Sequence, residues 1–168
     1  MSESQTAHPT PAERATRSLC EQAGRYLDLR AEHGAEHARQ VTLEELVPRQ
    51  AARIGPLIDH HRLAEGLATA VPGLAAIGIA AEFVDDSRPG EDAALEVMLT
   101  CSCLAAAERL GLTPPEPIVC ELDLAATERA IPGLSTRVLA RQTDQKKVCV
   151  FRFSRAERDG MRTTGEEG

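Results

Sequence analysis

The chain has 168 residues, of which 42% are hydrophobic and 2% aromatic, and it carries a formal net charge of −7. Its calculated isoelectric point is about 5.3. This length and apolar content predict a globular domain whose core is built mostly from Leu, Val, Ile and Ala. The acidic balance argues against non-specific binding to DNA or RNA. The scarcity of aromatic side chains removes the stacking platforms of single-strand binding proteins.

The terminal segments and the lengths of the apolar runs indicate how the chain is organised. No stretch of about 20 consecutive apolar residues occurs, so no membrane-spanning helix is predicted. The N-terminal residues have no apolar signal core, which predicts a cytoplasmic protein. We expect a disordered lead over residues 1–10, a single α+β domain over 11–155 and a polar tail over 156–168.

Helical spacing of apolar residues predicts about three helices in the first half of the chain. The first opens at Pro11 and runs to about Glu32. Thr42 and Glu45 match a capping box, which predicts a short second helix that starts there.

The third predicted helix opens at Pro56, stops near Pro72 and carries His60 and His61 in its first half. A histidine beside an apolar stripe is usually a hydrogen-bonded core or boundary residue. If this helix packs over the cysteine-bearing sheet, however, one of the two histidines becomes the natural proton carrier.

Alternation of apolar and polar residues predicts four strands in the second half, arranged as two hairpins. The predicted strands cover residues 74–84, 93–101, 134–141 and 148–154, and the predicted helices between the hairpins cover 102–110 and 123–130. The fold class is therefore α+β, with N-terminal helices followed by a mostly antiparallel four-stranded sheet and two inserted helices.

Positive charge is concentrated near the C-terminus. We predict a solvated sheet edge protected by charge here, in preference to an anion site. The basic residues concerned are Lys146, Lys147, Arg152, Arg155, Arg158 and Arg162.

The cysteines make residues 93–155 the chemical focus of the chain, since four of the five lie there. Five cysteines in a cytosolic chain favour free thiols, metal ligands or a redox pair over a disulfide framework. Cys101 stands where a strand pattern gives way to a helical one. The first helical turn there offers free N–H groups and a positive dipole end that favour a thiolate. Cys120 and Cys149 lie among apolar residues, which favours a core position for both.

The arrangement of these elements resembles a known family. A strand leads to Cys101 and a helix, a proline-rich break precedes Cys120, and the last strand contains Cys149. This order resembles the L-2-amino-thiazoline-4-carboxylic acid hydrolase-like family, and it is also similar to the small-molecule-binding domains of the 4-vinyl-reductase type. The likeness covers roughly residues 77–154.

The chain departs from the family pattern just after the first cysteine. Ser102 stands where such families usually have proline, and an additional Cys103 follows it. The resemblance implies a compact domain with a small-molecule pocket and cysteines at its wall. The activity that it implies is hydrolytic opening of a cyclic C–N bond.

We therefore predict a thiol-dependent enzyme that acts on a C–N or C=N bond of a small, carboxylate-bearing substrate, as in a biosynthetic pathway. The nucleophile would be Cys101, the base a histidine, and an arginine would hold the carboxylate through paired hydrogen bonds. The predicted catalytic residues are Cys101, His61, His60 and Cys120, and the predicted substrate-binding residues are Arg137, Arg152 and Cys103. The alternative acid–base groups are Glu96, Glu121 and Asp123.

The alternative hypothesis is a non-enzymatic domain that senses a small molecule, a metal or a redox signal. Cys-x-Cys is a weaker metal signal than Cys-x2-Cys, but zinc, an iron–sulfur cluster or a redox disulfide would suit these cysteines. No cofactor is predicted outside this alternative. The predicted partners are a small molecule and a second copy in a homodimer, with neither nucleic acid nor membrane. The alternative metal ligands are Cys101, Cys103, Cys120 and Cys149.

Overall fold

The computed structural model describes residues 8–157, and within them the chain forms an α+β fold with its long helices first. This confirms the predicted fold class. The elements in chain order are α1 (Pro11–His33), α2 (Ala35–Ile58), α3 (Leu63–Ala68), α4 (Val71–Ala76), β1 (Ala81–Asp85), β2 (Glu91–Met98), α5 (Ser102–Arg109), α6 (Ile118–Ala130), β3 (Ser135–Ala140), a short 3-10 helix (Gln142–Asp144) and β4 (Cys149–Ala156).

The strands form one antiparallel sheet in the order β1-β2-β4-β3, so β2 and β4 are central and β1 and β3 are edges. β2 pairs with β4 along its whole length, from Glu91 opposite Ala156 to Met98 opposite Cys149. Because successive side chains of a strand point to opposite sides, the sheet has a core face, covered by helices, and an outer face.

The largest hydrophobic core lies between the helices and the core face of the sheet. Phe151 and Phe153 of β4 are buried there against Ile58, Leu63 and Leu67 from α2 and α3. Burying such a side chain stabilises the fold by about 1.5–3 kcal/mol. A second cluster holds helices together, and its buried members are Leu43, Leu46, Ile118, Leu122 and Ala126.

Local chemistry sets both ends of α1. The Thr10 hydroxyl accepts a hydrogen bond from the Glu13 amide at 3.2 Å, and the Glu13 carboxylate accepts one from the Thr10 amide at 2.7 Å. This reciprocal pair is a capping box. Gly34, at φ +84°, separates α1 from α2 in a conformation that side-chain-bearing residues rarely adopt.

α2 is longer than the sequence predicts. The helix continues through Thr42, whose side chain is buried and whose hydroxyl donates to the Ala38 carbonyl at 2.8 Å instead of capping a helix start. It also continues through Pro56, where a new helix was predicted, and ends at Ile58. The capping-box prediction at Thr42 is wrong because burial against neighbouring helices outweighs the local turn signal.

The predicted strand over residues 74–84 is wrong in its first part. α4 occupies residues 71–76, and β1 begins only at Ala81. The alternating Ile77 and Ile79 lie in the connection, where Gly78 has a positive φ of +84° and turns the chain.

α6 begins at Ile118 and not at Asp123 as predicted. Ile118 and Val119 are buried, so their packing adds helical turns before Asp123. The Asp123 carboxylate caps nothing; it accepts hydrogen bonds from Gln50 and Arg53 of α2, the latter at 3.1 Å.

The predicted solvated edge is wrong for Arg152 and Arg155. Both lie on β4, which is a central strand of the sheet and so cannot form its edge. The Arg152 guanidinium donates to Asp86 at 2.7 Å and to Glu91 at 2.6 Å. Arg155 is only 7% exposed because it turns to the core face.

A buried ion pair joins the sheet to the helices. Asp92 of β2 is 3% exposed and lies 2.9 Å from the guanidinium of Arg155. Asp92 also accepts from the Leu63 amide at the start of α3, at 3.1 Å. Arg155 donates to the carbonyls of Ile58 and His61, at 2.9 and 2.5 Å. The pair therefore fixes the link between α2 and α3 against the two central strands.

Much of the predicted lead and tail, with Arg158 and Arg162, lies outside the described residues. Of the residues inside, Thr10 caps α1 and Ala156 belongs to β4. None of the helices in residues 8–157 has both the length and the apolar character needed to cross a membrane.

Candidate functional site

Cys101 occupies the N-cap of α5, three residues beyond the end of β2. Its Sγ accepts a hydrogen bond from the Leu104 amide at 3.2 Å. The side chain is half-buried and packs against the main core. An amide donor and the positive end of a helix both favour the thiolate over the thiol. Cys101 therefore lies at a strand-to-helix junction, as predicted.

The fold brings three more cysteines to Cys101. Cys103 of α5 is within hydrogen-bonding contact of Cys101 and of Cys120 on α6, and Cys149 of β4 contacts Cys101. All are free thiols. We call Cys101, Cys103, Cys120 and Cys149 the thiol cluster. Cys20 on α1 is the remaining cysteine and is not among the groups that act on the cluster.

The pKa values of the cluster thiols are shifted in different directions. The hydrogen bond from Cys103, helped by the Leu104 amide and Cys149, lowers the pKa of Cys101 to about 6 despite its partial burial. The contacts with Cys101 and Cys120, together with burial, raise the pKa of Cys103. Burial raises the pKa of Cys149 to about 11. At neutral pH the cluster therefore holds a thiolate at Cys101 beside the protonated thiols of Cys103 and Cys149.

The pKa of Cys120 is lowered as well. Cys103 and the positive charge of Arg141 lower its pKa, but its own thiol donates to the Pro117 carbonyl at 3.2 Å. Arg141 forms an ion pair with Glu121 at 3.0 Å, and its Nε is buried without a hydrogen-bond partner among the described residues. No local sequence pattern indicated Arg141, because its place beside α6 depends on how the end of β3 packs against that helix.

The predicted bases lie in the link between α2 and α3. His60 and His61 are both exposed, and the His61 Nδ1 is 3.5 Å from the Glu65 carboxylate. The groups that lower the pKa of Cys101 are two cysteine side chains and two backbone amides, with neither histidine among them. A catalytic role for either histidine stays a prediction.

The predicted substrate-binding arginines are separated from the thiol cluster. Arg137 is exposed on edge strand β3, on the outer face of the sheet opposite Arg152. The pKa of Arg152 is raised because Glu91 and Asp86 hold its guanidinium. Cys103 is the one predicted substrate-binding residue that lies within the cluster.

Metal ligation is not favoured by the side-chain arrangement. Across residues 8–157, no group of three or more His, Cys, Asp or Glu side chains is positioned to hold a metal ion. The contacts within the thiol cluster run pairwise from Cys101 and Cys103 instead of converging on one point. We therefore derive no step through zinc or an iron–sulfur cluster.

Glu96 is a second unusual group, on the core face of β2. Its strand neighbours are Phe83 and Phe151, and its half-buried carboxylate forms no hydrogen bond or ion pair within the described part of the chain. Burial and the nearby charge of Asp123 raise its pKa to about 7, although Arg53 opposes the change. This residue was predicted only as an alternative acid–base group, because its burial depends on how α2 and α6 cover the sheet.

Glu96→Gln is expected to remove a pH-dependent loss of stability. The folded carboxyl keeps its proton up to about pH 7, whereas the ordinary pKa of a glutamate carboxyl in the unfolded chain is 4.5. Ionisation therefore lowers the free energy of unfolding as pH rises between these values, by about 1–3 kcal/mol for a half-buried group. Urea unfolding should show the variant gaining on the wild type between pH 4.5 and 7.5. A constant difference would contradict the prediction.

Comparing the two proteins at each pH is essential for this measurement. Because the folded pKa of Cys101 is lowered, ionisation of Cys101 adds stability as pH rises above about 6. This contribution has the opposite sign to that of Glu96 and is common to both proteins.

An open cleft of about 270 Å³ lies at the other end of β2 from Cys101. It is shallow and lined mainly by polar and charged side chains of both signs. The lining residues are Arg62, Asp85, Ser87, Arg88, Pro89 and Glu157.

Comparisons with known proteins identify a similar fold but no matching family. No protein-family model and no curated protein matches the chain. A solved structure with a similar fold is the phenol-responsive sensory domain of the transcription activator PoxR, crystallised with phenol. The two chains are 13% identical, with a TM-score of 0.55 over 82% of this chain and 74% of the sensory domain. The resemblance to the hydrolase family gains no support from these comparisons.

Proposed function

We propose that this chain is a non-enzymatic sensory domain, and that the thiol cluster is the group that responds to a thiol-reactive small molecule. The observation that carries the proposal is the pairing of a thiolate-favouring Cys101 with the protonated Cys103 next to it. Such a pair reacts in two steps, first as a nucleophile and then as a resolving thiol.

The likeness in fold supports a sensor over a hydrolase. The similar solved domain responds to phenol within a transcription activator. By analogy of fold, we assign this chain the same general task of responding to a small molecule. A hydrolase would need a proton carrier beside the nucleophile, and His61 is paired with Glu65 instead.

The proposed response is an oxidation by hydrogen peroxide. The Cys101 thiolate attacks the peroxide oxygen, the O–O bond breaks, and Cys101 becomes a sulfenic acid as hydroxide leaves. The Cys103 sulfur then attacks the Cys101 sulfur, an S–S bond forms, and the hydroxyl leaves as water with the Cys103 proton. Two thiols lose two electrons in total, and the peroxide is reduced to water. The disulfide would tie the N-cap of α5 to its own first turn.

Alkylation kinetics test the first step. With iodoacetamide in excess, the wild type should contain one fast thiol whose rate rises through an apparent pKa near 6. Cys101→Ser should lose the fast phase. Cys20→Ser is the matched control, because Cys20 is half-buried but outside the cluster. Unchanged fast kinetics in Cys101→Ser would overturn the proposal.

Peroxide treatment tests the second step. One equivalent of hydrogen peroxide should remove two thiols from the wild type and give a Cys101–Cys103 disulfide in peptide mapping. Cys103→Ser should stop at a sulfenic acid that dimedone traps. Stoichiometric zinc or iron in the purified protein would overturn the redox assignment in favour of a metal sensor.

A thiol hydrolase is the second candidate, favoured by the lowered pKa of Cys101 alone. Its test is turnover of 2-aminothiazoline-4-carboxylate. Hydrolysis that Cys101→Ser abolishes and Cys20→Ser retains would support the hydrolase and displace the sensor.

A further inference from the structure

The outer face of the sheet carries exposed apolar side chains. Val84 is 44% exposed, Leu99 62% and Leu139 49%, and these are the exposed large hydrophobic residues found within residues 8–157. They lie on the outer face because the residue that precedes each of them packs against the core.

These three residues belong to a continuous surface. Leu95 pairs with Val84 across β1 and β2, and Val97 pairs with Val150 across β2 and β4, all on the same side of the sheet. The bulge in β3 places Leu139 beside Val150. The outer apolar face comprises Val84, Leu95, Val97, Leu99, Leu139 and Val150.

Opposite charges stand at opposite edges of this face. Glu82 lies on edge strand β1, and Arg137 lies on edge strand β3. Both side chains are exposed, and neither forms a hydrogen bond or an ion pair with any other residue in the described part of the chain. Arg152 lies between Leu95 and Arg137 on the same side of the sheet, where Asp86 and Glu91 hold its guanidinium. The face is therefore apolar at the end that holds Val97 and Val150, and it carries opposite charges at its two edges.

We propose that the outer apolar face binds a second copy of this chain in a symmetric dimer. A two-fold axis parallel to the strands lays β1 of one protomer over β3 of its partner. By strand register, Glu82 lies level with Val97 and Val150, whereas Arg137 lies level with Leu95 and Arg152. Glu82 of each protomer is therefore offset from Arg137 of the other by two residues, about 7 Å along the strands, which their long side chains can span. The apolar residues of the two faces pack together. Self-complementary charge of this kind is what an isologous contact requires. The same arrangement gives Arg137 a role on the side of the sheet away from the thiol cluster.

The size of the face sets the strength of the contact. Four strands at about 4.8 Å spacing, each about 20 Å long, cover roughly 400 Å². Stable complexes usually bury about 800 Å² on each partner. We therefore expect a reversible dimer that dissociates in the micromolar range.

Sedimentation velocity on the full chain, from about 1 to 200 µM, tests the dimer. The wild type should shift reversibly from monomer to dimer. Glu82→Arg and Arg137→Glu should each weaken the dimer by at least about tenfold, since each turns two attractions into two repulsions. The double variant should recover most of the wild-type affinity. Glu21→Arg, an exposed charge reversal on α1, is the matched control and should behave as the wild type.

The rescue in the double variant separates a docking contact from misfolding. A wild type that stays monomeric at 200 µM would overturn the proposal, including the case in which the terminal segments cover the outer face. A dimer that survives both single reversals would also overturn it, because the contact would then lie elsewhere.

Discussion

Asp92→Asn is expected to lower the free energy of unfolding by about 3–5 kcal/mol, which is the cost of leaving one member of a buried ion pair without its partner. Asp92 and Arg155 are 3% and 7% exposed, so water cannot replace the lost interaction. The amide keeps the size of the carboxylate and a hydrogen bond to the Leu63 amide. The loss therefore reports on the buried charge of Arg155 and not on a cavity.

Because the ion pair joins two helices to the sheet, its loss should destabilise the whole fold. Arg155 bonds to the carbonyls at the end of α2 and in the link that follows, and Asp92 bonds to the first amide of α3. An uncompensated Arg155 would have to move out of this position, which would release both helices from the sheet. Urea unfolding at neutral pH should show a lower midpoint for Asp92→Asn.

Two further variants keep this prediction specific. Arg62 lies 3.8 Å from Asp92 and is more exposed than Arg155, so Arg62→Met should cost no more than about 1 kcal/mol. A double variant that replaces the pair with Leu at 92 and Met at 155 should recover part of the loss, because no buried charge remains. A loss below about 1 kcal/mol in Asp92→Asn would show that the pair is not desolvated in solution.

The sequence predicts the local features of this fold well and the long-range ones poorly. Alternating side chains identified β2 and β4, and the change of period placed Cys101 at the start of α5. These are properties of a few consecutive residues. The approach of Cys103 to Cys120 depends instead on how α5 and α6 pack, and no local pattern encodes that contact.

The wrong predictions have the same cause. The signal at Thr42 was a correct capping pattern, but tertiary burial continued the helix through it. From the sequence alone, Arg155 is predicted to be a solvated basic residue. In the fold, the pairing of β2 with β4 places it against Asp92, which is 63 residues earlier in the chain. The raised pKa of Glu96 likewise arises from burial in the folded chain and from the nearby charge of Asp123 on α6. Local rules therefore located Cys101 at the start of α5, while its contacts with the other cysteines and the positions of the buried charges depend on the fold.

Gly66→Ala is expected to destabilise the protein by about 3 kcal/mol, although alanine is the better helix former. A Cβ at this position would lie 2.1 Å from the Leu57 carbonyl oxygen and 2.9 Å from its carbon. These are backbone atoms near the end of α2, so relief requires α3 to move away from α2. Overpacking of this kind costs about 1–3 kcal/mol, and a backbone clash belongs at the upper end. The gain in helix propensity, about 0.5–1 kcal/mol, is too small to offset it.

Gly24→Ala is the matched control, since Gly24 also lies inside a helix but has no atom within 4 Å of the added Cβ. The free energy of unfolding in urea should fall for Gly66→Ala and rise by about 0.5–1 kcal/mol for Gly24→Ala. Opposite signs for the same chemical change would show that close contact between α2 and α3 selects glycine at residue 66. If both variants were stabilised, α3 would have to sit farther from α2. The bonds from Asp92 and Arg155 to the link between them would then have to lengthen as well.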